Sequence, residues 1–201
     1  MTEPSPTQVG PDQSRPVDPV DVVEAIRASS SHSTFANRPV PRDLLEQMVW
    51  AARRAQQGRS GVRNMVVVDD PALLESAHSI VQGFDGTAGA FIVHCTDLVQ
   101  ARGLGGVEYA RSSTPLDAGA ACAHLALMAQ PLGLGVCRTS GWNEAEIRSW
   151  IDLPENIRPD AVVAVGWRTG PGDDHPTVSA ESVHGNQFGT RFFEAAPRKD
   201  S

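Results

Sequence analysis

Apolar residues recur at helical spacing in some segments of this chain and form short unbroken runs in others. Residues 1–17 show neither pattern; Pro, Ser, Gln and acid dominate there, and a mobile tail is expected. A first helix is expected from Asp18, a capping residue, and Pro19, with Val22, Val23 and Ile26 at helical spacing, to about Ser29. There the run of serines competes for backbone hydrogen bonds. Leu44, Leu45, Met48, Val49 and Ala52 predict a second helix after Pro41, ending near Gln57-Gly58. Gln56–Arg63 reads as a loop, Met65–Val68 as a buried strand, Pro71–Ile80 as a helix and Ala90–Cys95 as a second buried strand.

The Gly-rich stretch 97–113 is weakly patterned and reads as a mobile connection. Leu116–Met128 is apolar around most of its circumference, which suggests a helix buried centrally or at a subunit interface. Pro131 and Gly133-Leu134-Gly135 end it, and Val136-Cys137 leads into a loop. Asn143 caps a helix carrying Ile147, Trp150 and Ile151. Asp160–Trp167 is a third strand, and the rest is loop-rich with a possible short helix at 179–183. Helices alternating with strands place the chain in the α/β or α+β class.

Composition narrows the function. The 201 residues suit one domain with a sizeable core. The net charge is −7, and the basic residues, all arginine except Lys199, are scattered. Nucleic acid and anionic membranes are therefore not expected as partners. No apolar run reaches membrane-spanning length, and the N-terminus lacks a signal-like core. Cys95, Cys122 and Cys137, without CxxC spacing, indicate reduced thiols, a cytoplasmic location and no metal site.

The familiar catalytic patterns do not form. Gly133-Leu134-Gly135 follows a helix and lacks the third glycine of a phosphate loop, so it reads as a helix terminator. Adjacent on a strand, His94 and Cys95 point to opposite faces and cannot serve as base and nucleophile; a satisfied core histidine is expected at 94. Cys122 and His124 diverge on their helix. His175 and His184 sit in the loop-rich tail. No side chain is singled out as catalytic.

Four segments in order resemble the nitroreductase family over about residues 20–188. The first is Ile26-Arg27-Ala28-Ser29-Ser30-Ser31-His32-Ser33-Thr34-Phe35 with Pro39-Val40-Pro41. The second runs from Ala51-Ala52-Arg53-Arg54-Ala55-Gln56-Gln57-Gly58-Arg59-Ser60 to the strand Met65–Val68. The third is Asp117–Leu127 with Leu132-Gly133-Leu134-Gly135, and the fourth is Ile151-Asp152-Leu153-Pro154-Glu155 followed by Val162–Gly166. The resemblance implies an α+β sandwich, with a central mixed sheet flanked by helices, spanning 18–188. It implies an intertwined homodimer, to which a C-terminal arm over 189–201 would contribute. Phe188, Phe192 and Phe193 in that region are more than a monomer could readily bury.

The same resemblance implies FMN at the dimer interface, NAD(P)H as donor and two-electron reduction of a small organic acceptor. The positions it assigns to the cofactor are Ser29, Ser30, Ser31, Ser33, Gln57, Ser60, Ser140, Gly141 and His175. A backbone N–H at Ser140 or Gly141 would face the reactive edge of the flavin ring.

Three segments depart from the family pattern together, and all three concern the phosphate. Ser29, Ser30 and Ser33 replace basic residues near the negative end of the first helix. Hydroxyls donate weaker hydrogen bonds than cations do. The loop after the second helix lacks the family's Asn and Gln-Pro-Trp, with Ser60 at the Asn position. Asp173-Asp174-His175-Pro176 stands where a Lys or Arg is usual. Three readings follow. Arg27, Arg59, Arg63 or Arg168 takes over the phosphate; FMN binds weakly or another cofactor is used; or the fold persists as a ligand-binding or regulatory protein without ordinary FMN use.

Overall fold

A computed structural model of the protein describes residues 20–84, 87–173 and 182–192. The tail expected over 1–17, His175, Phe193 and most of the possible helix at 179–183 lie outside the described residues.

Helix α1, Val22–Ala28, starts later than the Asp18-Pro19 read from sequence, because Val20 and Asp21 are not helical and the Asp21 carboxylate caps it by accepting from the Val23 and Glu24 amides; it ends at Ser29 as expected. Only Ala25 of this helix is buried; Val22, Val23 and Ile26 face outward from the single chain. Strand β1 is Phe35–Ala36, and helix α2, Arg42–Arg54, buries Leu44, Leu45, Met48 and Ala52. It stops before the Gln57-Gly58 end read from sequence, because Ala55 turns into extended backbone. Strand β2 (Arg63–Val68) and helix α3 (Pro71–Ile80, capped by Asp70) follow, then strands β3 (Val81–Gln82) and β4 (Ala90–Asp97).

The stretch expected as a mobile connection is helical. Asp97 caps α4, Leu98–Glu108, which is broken at Gly106 in a positive-φ conformation, and a π-helical turn, Tyr109–Ser113, leads into α5, Thr114–Ala129. What orders it is tertiary. Arg158 donates to the Ala110 carbonyl at 3.0 Å and to Thr114 Oγ1 at 2.8 Å. Its guanidinium also pairs at 2.6 Å with the buried Asp160 carboxylate, which accepts from Thr96 as well. Periodicity could not reveal this clamp, because its partners lie about fifty residues away.

Val136-Cys137 does not lead directly into a loop but lies within a strand: β5 is Leu134–Thr139, followed by β6 (Gly141–Trp142), α6 (Glu144–Trp150, capped by Asn143) and β7 (Ile157–Arg168). Gly133, at positive φ, makes the turn that ends α5, so the terminator reading holds for the first glycine, while Leu134 already starts β5.

The long β7 organises the sheet. It pairs antiparallel with β4 on one edge and β5 on the other, β2 extends the β4 side, and β1 joins the end of β7. Ser31 adds a parallel bridge to Val136, which makes the sheet mixed. β3 and β6 form a separate two-stranded ribbon. Alternation along the strands sends Ile92, Val163 and Val165 to a core with Leu45, Met48, Ala121 and Leu125 from α2 and α5. Phe91, Val93, Val162 and Ala164 face a second core with Ile147 and Trp150 of α6 and Ala77 of α3. The result is the α+β sandwich expected, with helices on both faces.

Candidate functional site

The serine run is held against the edge of β5. The His32 amide donates to the Val136 carbonyl at 3.0 Å, and the buried His32 ring lies over Gly135. A Cβ at Gly135 would stand 2.8 Å from His32 Cγ, so only glycine permits this approach. Sequence reading gave Gly135 to the helix terminator; its structural work is to seat the serines.

This seating opens a cavity of about 420 Å³ between the serine run, α5 and β5. Ser29, Ser30 and Ser31 line one end; Gly119, Cys122, Ala123 and Ala126 of α5 and Val136 and Val163 of the sheet form largely apolar walls. Arg138, exposed on β5, is the cation among the lining residues. Sequence reasoning does not single it out as a site residue. Strand alternation from Val136 would have placed it on the cavity side, but β5 itself had been read as a loop.

None of the four arginines considered as substitutes lines this cavity. Arg63 is half-buried and donates to the carbonyls of Asp117 and Ala55, each at 3.3 Å. Arg168 donates to Gln130 Oε1 at 3.2 Å. Arg27 and Arg59 are exposed, on α1 and on the loop after α2.

The remaining predicted positions do not all converge within one chain. Gln57 lines a second cavity of about 420 Å³ with Val49, Arg53, Arg63 and Asn64, and Ser60 lies on the adjoining exposed loop. Ser140 and Gly141 are exposed at the junction of β5 and β6, and a Cβ at Gly141 would approach Gln82 Cβ to 2.9 Å, a sufficient structural reason for that glycine.

Ser33 is engaged elsewhere. Its amide and its hydroxyl both donate to the carboxylate of Asp173, at 3.0 Å and 2.9 Å. The Asp173 amide returns a bond to the Ser31 carbonyl at 2.7 Å, and Gly172 packs against the Ser30 side chain. Two of the three divergent segments therefore meet in space.

Burial sets the nearby titrations. It pushes the Cys122 thiol up to about 11, and raises Cys137 as well, although its contact with the Ser31 hydroxyl opposes the rise. Cys122 is a wall at neutral pH and not a nucleophile. His124, diverging as expected, places Nδ1 3.0 Å from the Ala51 carbonyl. The satisfied histidine expected at 94 is a correction: His94 is fully buried, and neither ring nitrogen has a partner among the described residues. Desolvation, reinforced by Arg63, lowers its pKa to about 4, so the ring is neutral. No group of three or more His, Cys, Asp or Glu among the described residues is arranged to hold a metal.

The donor chemistry decides what such a cavity suits. Apolar walls with hydroxyls at one end and a guanidinium at the side fit the flat ring of a flavin. A phosphate at Ser33 does not fit, since its donors already serve a carboxylate and a second anion there would meet like charge.

The comparisons agree with this architecture. A model of the nitroreductase family matches residues 63–167, more than half of the chain. The fold is similar to a protein described as an NADH dehydrogenase/NAD(P)H nitroreductase from Bacteroides thetaiotaomicron, at 24% identity and TM-score 0.70, over 83% of this chain and 98% of that one. It is similar to the nitroreductase NfrA1 of B. subtilis, at 19% identity and TM-score 0.71, over 83% and 74%. It is also similar to an NADPH:FMN oxidoreductase of Vibrio harveyi solved with NAD+, at 22% identity and TM-score 0.69, over 83% and 77%. Sheet order, helix placement and the family match lead to one conclusion: the chain belongs to the nitroreductase family.

Proposed function

We propose that the protein is a flavin-dependent oxidoreductase of the nitroreductase type, which passes two electrons from NAD(P)H to a small organic acceptor. The observation that carries this reading is the cavity between Ser29–Ser31, α5 and β5, with its apolar walls and the Arg138 guanidinium. A bound flavin would supply the hydride chemistry; the chain supplies orientation and hydrogen bonds. Val136, Val163, Ala123 and Ala126 would cover the ring, Arg138 would face its electron-rich edge, and the serine hydroxyls would hold the tail. The resemblance implies FMN, and the family membership together with the fold's similarity to an NADPH:FMN oxidoreductase supports a flavin oxidoreductase in general.

The working form is a homodimer. Val22, Val23 and Ile26 of α1, Leu116 at the start of α5 and Phe188 are exposed in the single chain, with Phe188 95% exposed. That much apolar surface calls for a partner. A second copy would also explain why Gln57 and Ser60 lie away from the serine cavity of their own chain. The three free cysteines are all buried, in keeping with a reduced, cytoplasmic protein, and no helix among the described residues is long and apolar enough to cross a membrane.

The experiment is anaerobic reduction. Protein loaded with flavin, mixed with NADH or NADPH, is expected to lose its flavin absorbance and regain it when an acceptor is added. A flavin that stays oxidised in the presence of either donor would contradict the reading. A second reading, a ligand-binding protein without flavin, is favoured by the engagement of Ser33 with Asp173; failure of any flavin to bind would support it.

A further inference from the structure

Asp173 makes contacts of the kind a bound anion would make. Its carboxylate accepts the Ser33 amide and the Ser33 hydroxyl, and its own amide ties the strap to the Ser31 carbonyl. Thr169 Oγ1 adds a bond to the Thr34 carbonyl at 3.4 Å, so residues 169–173 run alongside residues 31–34. Gly172 is needed in this strap, because any Cβ there would collide with the Ser30 side chain.

The charges nearby point the same way. The C-terminal end of α1 presents its negative dipole end at Ser29. Arg27, in the last turn, is exposed, and the Arg168 side chain is bonded to Gln130. Arg138 stands on β5 among the apolar walls. A phosphate monoester carries close to two negative charges at neutral pH. Beside Asp173 it would find spent donors and a like charge. A neutral polyol meets no such penalty, and its hydroxyls can pair with Ser29 and Ser30, which line the cavity next to the Asp173 contact.

We propose that Asp173 is an internal stand-in for the phosphate, and that the serine cavity therefore selects a flavin with an uncharged ribityl tail, riboflavin, over its phosphorylated form. This inference rests on the flavin reading of the cavity. Asp173 acts here as a specificity residue and takes no part in electron transfer.

The test compares two ligands that share one fluorophore. The full-length apoprotein is titrated with riboflavin and with FMN, following quenching of flavin fluorescence, for the wild type and for Asp173→Asn, with circular dichroism to check folding. The wild type should bind riboflavin at least about tenfold more tightly than FMN, as like charges at close range predict. Asp173→Asn should strengthen FMN binding relative to riboflavin binding by about tenfold or more. Tighter binding of FMN than riboflavin by the wild type overturns the inference and leaves the flavin reading standing. An unchanged FMN to riboflavin ratio in a folded Asp173→Asn protein also overturns it. Binding of neither flavin by either protein overturns the inference and the flavin reading together.

Discussion

His94 shows how far one buried side chain can depart from its expected environment. Its position on β4, paired with Met65 and Ala161, encloses it completely, and neither ring nitrogen finds a partner among the described residues. Leaving such groups unpaired costs stability. The ring stays neutral, with its pKa lowered from 6.5 to about 4 by burial. Between those values the unfolded chain binds the proton that the folded chain refuses. Stability is therefore full above about pH 6.5 and lost as the pH falls toward 4, by about 2 kcal/mol between pH 7 and pH 5. His94→Leu should remove most of that acid sensitivity, measured as denaturant unfolding at the two pH values; an undiminished acid loss would show that other groups cause it. The sequence pointed to burial here, since 94 continues an apolar run, but it carried no sign that hydrogen-bond partners would be missing. Asp173 was legible only as a missing cation. Its engagement with Ser33 joins residues 140 positions apart, which no local pattern records.

The elements divide by what orders them. α2, α3, α5 and α6 were readable because caps and apolar stripes are local, and Asn143 caps where the sequence placed it. α4 was not, because its glycines and weak periodicity oppose a helix and the Arg158–Asp160 clamp that holds the turn after it is remote. β5 was missed because the Gly-Leu-Gly motif looks like the end of a helix and is also the start of a strand. That junction is critical for the site. Gly135→Ala would force the methyl against the His32 ring and lift the serine run from β5. The expected cost is about 1–3 kcal/mol, as for other overpacked sites, with flavin binding weakened alongside. A variant of wild-type stability and affinity would show that His32 moves aside freely.

For the molecule as a whole, the sequence read the sandwich correctly, whereas the positions it assigned to a cofactor fall in separate places on the single chain. The serine end, the α5 wall and the adjoining strand lie together, whereas Gln57 lines another cavity of the same chain and Ser60 sits on the loop beside it. The homodimer proposed above would reconcile the two. Leu116, 74% exposed, is a direct probe of it. Leu116→Glu should shift the sedimentation of the protein from dimer toward monomer at micromolar concentration, and an unaltered dimer would move the interface away from α5.

The central claim is that the cavity between the serine run, α5 and β5 receives a flavin ring. The most direct measurement is a riboflavin titration of the apoprotein beside its Ala126→Trp variant, in which an indole fills the cavity from α5. Saturable quenching by the wild type, weakened at least about tenfold in a folded variant, is the result predicted; a tenfold change corresponds to about 1.4 kcal/mol. Equal affinity in the two proteins, or no saturable binding by the wild type, would contradict the claim.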